Sequence, residues 1–129
     1  MAKKYNWIIH YVFPGSCREK ELVLPKDVCP MVDCHTHGLA RYGKELQLIL
    51  PISEDLAACI INDIGAMMRD GRKLRDGDLV TEVLAGGEPI RIKEIGDHFR
   101  LIFRDPRGRW PEDAGCDFPF CIQEEPFAF

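Results

Sequence analysis

Asp33–Gly71, DCHTHGLARYGKELQLILPISEDLAACIINDIGAMMRDG, decides the fold, because it joins a short extended segment, a loop, a strand and a long helix. Leu46, Leu48 and Leu50 alternate with Gln47 and Ile49, so Glu45–Ile52 reads as a strand with a buried face. Pro51 cannot donate to a sheet ladder and closes it. Ser53 stands at an N-cap position, with Glu54 and Asp55 in the first turn, where the helix dipole favours negative charge. Gly71 suits the left-handed residue that ends a helix. Between them, Leu56, Ala57, Ile60, Ile61, Ile64, Met67 and Met68 fall within an arc of roughly 140° at 3.6 residues per turn. This stripe predicts a helix packed on the sheet to which the preceding strand belongs, with its methionines filling core.

The bulk properties narrow the class. A chain of 129 residues, 46% hydrophobic and 29% charged, is expected to form one soluble domain over residues 1–129 with a core of its own. A net charge of −4 gives no reason to expect nucleic acid or an acidic membrane surface as partner. No apolar run reaches the ~18–20 residues needed to span a bilayer. The opening MAKKYNWIIHYVFPG is broken by His10 and reads as a first strand over Tyr5–Phe13, not as an export signal. The six cysteines include no Cys-x-x-Cys pair and read as reduced thiols of a cytoplasmic protein.

Around the central stretch lie further strands. Pro14 and Gly15 end the first one in a turn, and Glu21–Leu24 suggests a short second one. Leu79–Leu84 reads as a strand, Ala85–Glu88 as the turn of a hairpin, and Ile90 with Ile92 as the buried face of the next strand. Phe99, Leu101 and Phe103 then alternate with His98, Arg100, Ile102 and Arg104, which puts His98 on a polar, solvated face. Asp105–Gly108 has the chemistry of a type I turn. The irregular tail carries Trp110, Phe118, Phe120, Phe127 and Phe129, residues suited to lie over a core edge or to mark a partner surface.

Two groups of residues could carry a site. Asp33-Cys34-His35-Thr36-His37 has the form Asp-x-His-x-His, in which two imidazoles at i and i+2 of a strand share one side. The metal-dependent hydrolase barrels that use such a motif need roughly 250 residues and later ligands that this chain lacks. A smaller zinc site could draw on Cys29, Cys34, His35 and His37, and Cys116 with Cys121 repeats the Cys-x4-Cys interval. In a strand, however, Cys34 and His35 point to opposite faces. The second group is Arg41–Tyr42 with Arg109–Trp110, two loop pairs of cation and aromatic that suit an anionic or planar ligand.

The order of motifs resembles the bacterial domain of unknown function 4262 family over roughly residues 32–126. Thr36, Gly38 and Leu39 match its first motif, and Glu45–Leu46 with the following strand match its second. Asp105, Gly108, Arg109, Trp110–Pro111, Gly115, Asp117 and Gln123 match its closing part. His35 stands where that family usually has tyrosine, and His37 where it has an aliphatic residue, so the histidine pair is not a family feature. The resemblance implies a fold and a bacterial cytoplasmic setting, and no reaction.

These observations predict an α+β domain, a mixed, mostly antiparallel sheet of five or six strands packed against one main amphipathic helix. No nucleophile, base and orienting group can be assembled from the motifs. The expected function is therefore a non-catalytic binding or interaction domain without a cofactor, for an unknown protein or small molecule, and a homodimer is compatible with it. The alternative is a zinc-binding protein or small metal-dependent hydrolase built on Asp33–His37.

Overall fold

The computed structural model describes residues 5–12 and 32–124. The expected turn at Pro14–Gly15, the short strand at Glu21–Leu24, Cys29, Phe127 and Phe129 lie outside the described residues. Six strands form one sheet: β1 (Ile8–Val12), β2 (Asp33–His37), β3 (Glu45–Leu48), β4 (Leu79–Val80), β5 (Ile90–Ile95) and β6 (His98–Phe103). Their order is β1-β2-β3-β6-β5-β4, and every pairing is antiparallel except β3 with β6. The helix α1 (Glu54–Arg69) crosses from β3 and covers one face of this sheet. The α+β architecture with a mixed, mostly antiparallel sheet is as expected. No helix among the described residues is long and apolar enough to cross a membrane.

Helix α1 starts and stops as its sequence requires. Ser53 Oγ accepts from the Leu56 amide at 3.1 Å, satisfying one of the otherwise unpaired donors of the first turn. At the other end Gly71 adopts φ +111°, its amide donates to Met68 O, and the Arg72 amide donates to Met67 O. Ala57, Ile60, Ile61, Ile64 and Met68 are buried, and each isoleucine contributes on the order of 1.5–3 kcal/mol by leaving water.

The buried stripe is nevertheless rotated from the expected one. Leu56 is 47% exposed and Met67 only partly covered, whereas Gly65 at the opposite margin is buried. The cause is Trp7, which precedes β1 and lays its indole against the helix. A Cβ at Gly65 would stand 2.9 Å from Trp7 Cζ2, so only glycine permits this approach. Trp7 Nε1 donates to Asn62 Oδ1 at 2.8 Å, and the Arg69 guanidinium lies over the ring.

Strand lengths also differ from the reading above. The β3 ladder ends at Leu48, although Ile49 and Leu50 stay buried. The expected strand Leu79–Leu84 contracts to two residues, because the chain leaves the sheet edge at Thr81 and Glu82 turns to Arg72. Gly86 and Gly87, both at positive φ, then return it to β5.

The tail folds back over the outer face of β5 and β6. Gln123, fully buried, donates from Nε2 to Phe103 O and Phe120 O and accepts from the Phe103 amide at Oε1. Arg91 holds Glu112 through two bonds, pairs with Glu124 and stacks its guanidinium 4.5 Å from the Trp110 ring centroid. This cover explains why Ile102, assigned by alternation to a polar face, is fully buried. Phe118 is 65% exposed, whereas Phe120 packs against the core.

At the turn after β6, Asp105 is buried. Burial pushes its carboxyl up, and donations from the Arg109 and Asp117 amides, the Arg109 guanidinium and the Arg107 amide outweigh that and hold it at about 2, against an ordinary 3.8. A carboxyl depressed by folding stabilises the native state above its unfolded pKa and loses that contribution as pH falls through the native one. Urea unfolding between pH 5 and pH 2 is therefore expected to show a loss of stability below about pH 4 that is smaller in Asp105→Asn. An Asp105→Asn variant with the parental pH profile would refute this role.

Candidate functional site

Strand pairing brings three of the four histidines of the chain together. In the β1–β2 ladder His10 faces His35 and Ile8 faces His37, and side chains two apart on one strand share a face. His10, His35 and His37 therefore project from the same side, the face that α1 does not cover. Each offers a ring nitrogen, and these atoms lie within 4.8 Å of one another. The ring centroids of His10 and His37 are 4.6 Å apart, and those of His35 and His37 5.0 Å apart. His10 and His37 are exposed, and His35 is half-buried.

Polar residues of the same face anchor His35. Its Nδ1 lies 2.9 Å from Asp33 Oδ1, which also accepts from Gln47 Nε2 at 3.2 Å. Gln47 Oε1 accepts from Arg100 Nε, and Arg100 Nη1 donates to the backbone carbonyl of Gln123. With the proton of His35 on Nδ1, directed at Asp33, Nε2 presents its lone pair to a ligand. His98, paired with Glu45 on the same face, is half-buried, not solvated as expected. Burial and the neighbouring His35 lower its pKa.

The expected metal donors divide accordingly. His35 and His37 come together. Cys34 does not join them, because it pairs with Leu48 on the helix-facing side and is fully buried. Desolvation pushes its thiol up to about 12, the protonated form that binds metal poorly. Cys29 lies outside the described residues. Cys34, Cys59, Cys116 and Cys121 are all free thiols. His10 had no signal in local spacing: it lies 25 residues before His35, and only the strand register makes them neighbours.

The other predicted ligand-binding residues fall in two places. Arg41 and Tyr42 lie on a 3-10 turn (Ala40–Tyr42) between β2 and β3 and line a cavity with residues at the end of α1. Neither Arg109 nor Trp110 lines that cavity. Arg109 Nε donates to Asp105 at 3.1 Å, and the Trp110 ring lies beneath Arg91 and Arg104. Both belong to the tail's attachment.

The loop from His37 to Arg41 is held by one carboxylate. Glu45 accepts from the Thr36 hydroxyl at 2.6 Å and from the amides of Gly38, Leu39 and Ala40 at 3.0–3.1 Å. Burial pushes the Glu45 carboxyl up, but these donors outweigh it and lower its pKa. Glu45 thus fixes the backbone beside His37.

Comparison with protein-family models, with curated proteins and with solved structures finds no match to this chain.

Proposed function

We propose that the protein is a metal-binding domain that holds a zinc-like divalent ion through His10, His35 and His37. The observation that carries this reading is the convergence of three imidazoles within 4.8 Å, drawn in register from two adjacent strands. Zinc bonds histidine nitrogen at about 2.0–2.1 Å, so tetrahedral coordination needs nitrogens roughly 3.3 Å apart. The exposed rings of His10 and His37 can close that gap by rotation. The Asp33–His35 contact is the outer hydrogen bond that orients a metal-ligating histidine.

In this proposal the role is binding and not catalysis. Asp33, the carboxylate that could serve as a base, is committed to His35 and Gln47. The bacterial cytoplasmic setting and the resemblance to the family named above belong to the same proposal. The residues behind that resemblance, Thr36, Gly38, Leu39 and Glu45 in one group and Asp105, Arg109, Asp117 and Gln123 in the other, join in hydrogen bonds that hold the fold.

A hydrolytic reading has one observation in its favour: three protein nitrogens leave a coordination position for water, and two of the rings are exposed. Titration with cobalt(II), followed by its visible absorption, tests both readings. One equivalent bound with tetrahedral bands, and no turnover of p-nitrophenyl acetate above free ion, is the expected result. Absence of saturable binding would overturn the proposal, and turnover lost with His35→Ala would replace it by the hydrolase.

A further inference from the structure

Away from the histidines, the end of α1 and the loop before β3 flank two adjoining open clefts, of about 280 and 400 Å³, that share Tyr42, Gly43 and Lys73. Five cationic side chains line them: Arg41, Lys44, Arg69, Arg72 and Lys73. No carboxylate among the described residues does, in a chain whose net charge is −4. The dipole of α1 accounts for basic residues just beyond its C-terminus. It does not account for Arg41 and Lys44, which come from another part of the chain.

Three of the five cations have carboxylate partners that line neither cavity. Arg69 pairs with Asp70, Arg72 with Glu82 at 2.7 Å, and Lys44 with Glu94 at 3.3 Å. Arg41 and Lys73 have no ion-pair partner among the described residues, and both are exposed. Leu74 and Phe99 give the smaller cavity an apolar wall, and Tyr42 lines both spaces. Tyr42 is fixed there by Asn6 Nδ2, which donates to its hydroxyl, and by edge contact with Trp7. Charge on one side, ring and aliphatic surface on the other, and a volume near the ~300 Å³ lower range of ligand pockets describe a site for a small organic anion.

We infer that this groove binds a phosphorylated small molecule of nucleotide size, with its phosphates on Arg41 and Lys73 and its ring against Tyr42 and Phe99. Guanidinium and ammonium groups supply the fork and point charge that phosphate oxygens accept. The site is independent of the histidine cluster, since none of its lining residues belongs to that cluster.

Calorimetric titration of the full chain with ADP, pyrophosphate and adenosine tests the inference. ADP is expected to bind with a dissociation constant that rises with salt, more tightly than pyrophosphate, while adenosine gives no heat. Arg41→Gln and Lys73→Met are each expected to weaken ADP at least tenfold without changing the cobalt stoichiometry, and both positions are exposed enough to spare the fold. Absence of heat from ADP and pyrophosphate alike would overturn the site. Equal affinity for the two would overturn its nucleotide part, and ADP binding unchanged in both variants would overturn its location.

Discussion

Replacing His35 by alanine is expected to weaken zinc binding by roughly a hundredfold or more, with little change in stability of the metal-free protein. Structural zinc sites with four ligands reach on the order of 10–16 kcal/mol, so one ligand carries about 3 kcal/mol, and 2.7 kcal/mol is a hundredfold in affinity. His35 is also the ring whose orientation is fixed, by Asp33 at 2.9 Å. Asp33→Asn keeps the shape but not the charge, and should cost roughly 10–100-fold, the usual range for an outer partner. Cys34→Ser should leave affinity unchanged, because the thiol faces the core on the other side of β2. Competition against a chromogenic chelator reads all three. Loss of binding in Cys34→Ser with retention in His35→Ala would reverse the assignment.

Gln123→Leu is expected to destabilise the domain by about 2–6 kcal/mol. The substitution keeps the volume and removes both ends of the amide, so the buried Phe103 amide and carbonyl each lose a partner, and each such group costs about 1–3 kcal/mol. A loss near 3 kcal/mol corresponds to a fall in Tm of roughly 10 °C at this size. The tail between Trp110 and Glu124 should detach at the same time, which would deprive Trp110 of its place beneath Arg91. Urea denaturation, with tryptophan fluorescence read below the transition, measures both effects. A change under 1 kcal/mol would show that the tail is not held through Gln123.

Periodicity carried most of the fold and little of the site. The helix and its caps were legible because Ser53, the apolar stripe and Gly71 act within a few residues of one another. The rotation of the stripe was not, since it depends on Trp7, far away in sequence, meeting a glycine. In the same way, alternation placed Ile102 on an outer face correctly but could not show that Gln123 would return to cover it. His35 and His37 were visible as a pair at i and i+2. His10 was not associated with them, because it lies on another strand and joins them only through register. Arg41 and Tyr42 were visible as a cation beside an aromatic. Their neighbours are the residues at the end of α1, whereas Arg109 and Trp110 serve the tail.

The parallel pairing of β3 with β6 has a consequence for the order of events in folding. Among the described strands every antiparallel contact joins neighbours in the sequence, but Gln47 meets Arg100 across 53 residues. Closing so long an interval is entropically slow, so this seam is expected to zip last, after helix and hairpins exist. The three histidines all lie ahead of it, on β1 and β2. A nascent chain would thus hold the three proposed ligands well before β6 emerges, and an ion captured then would act as an early clasp on the N-terminal strands.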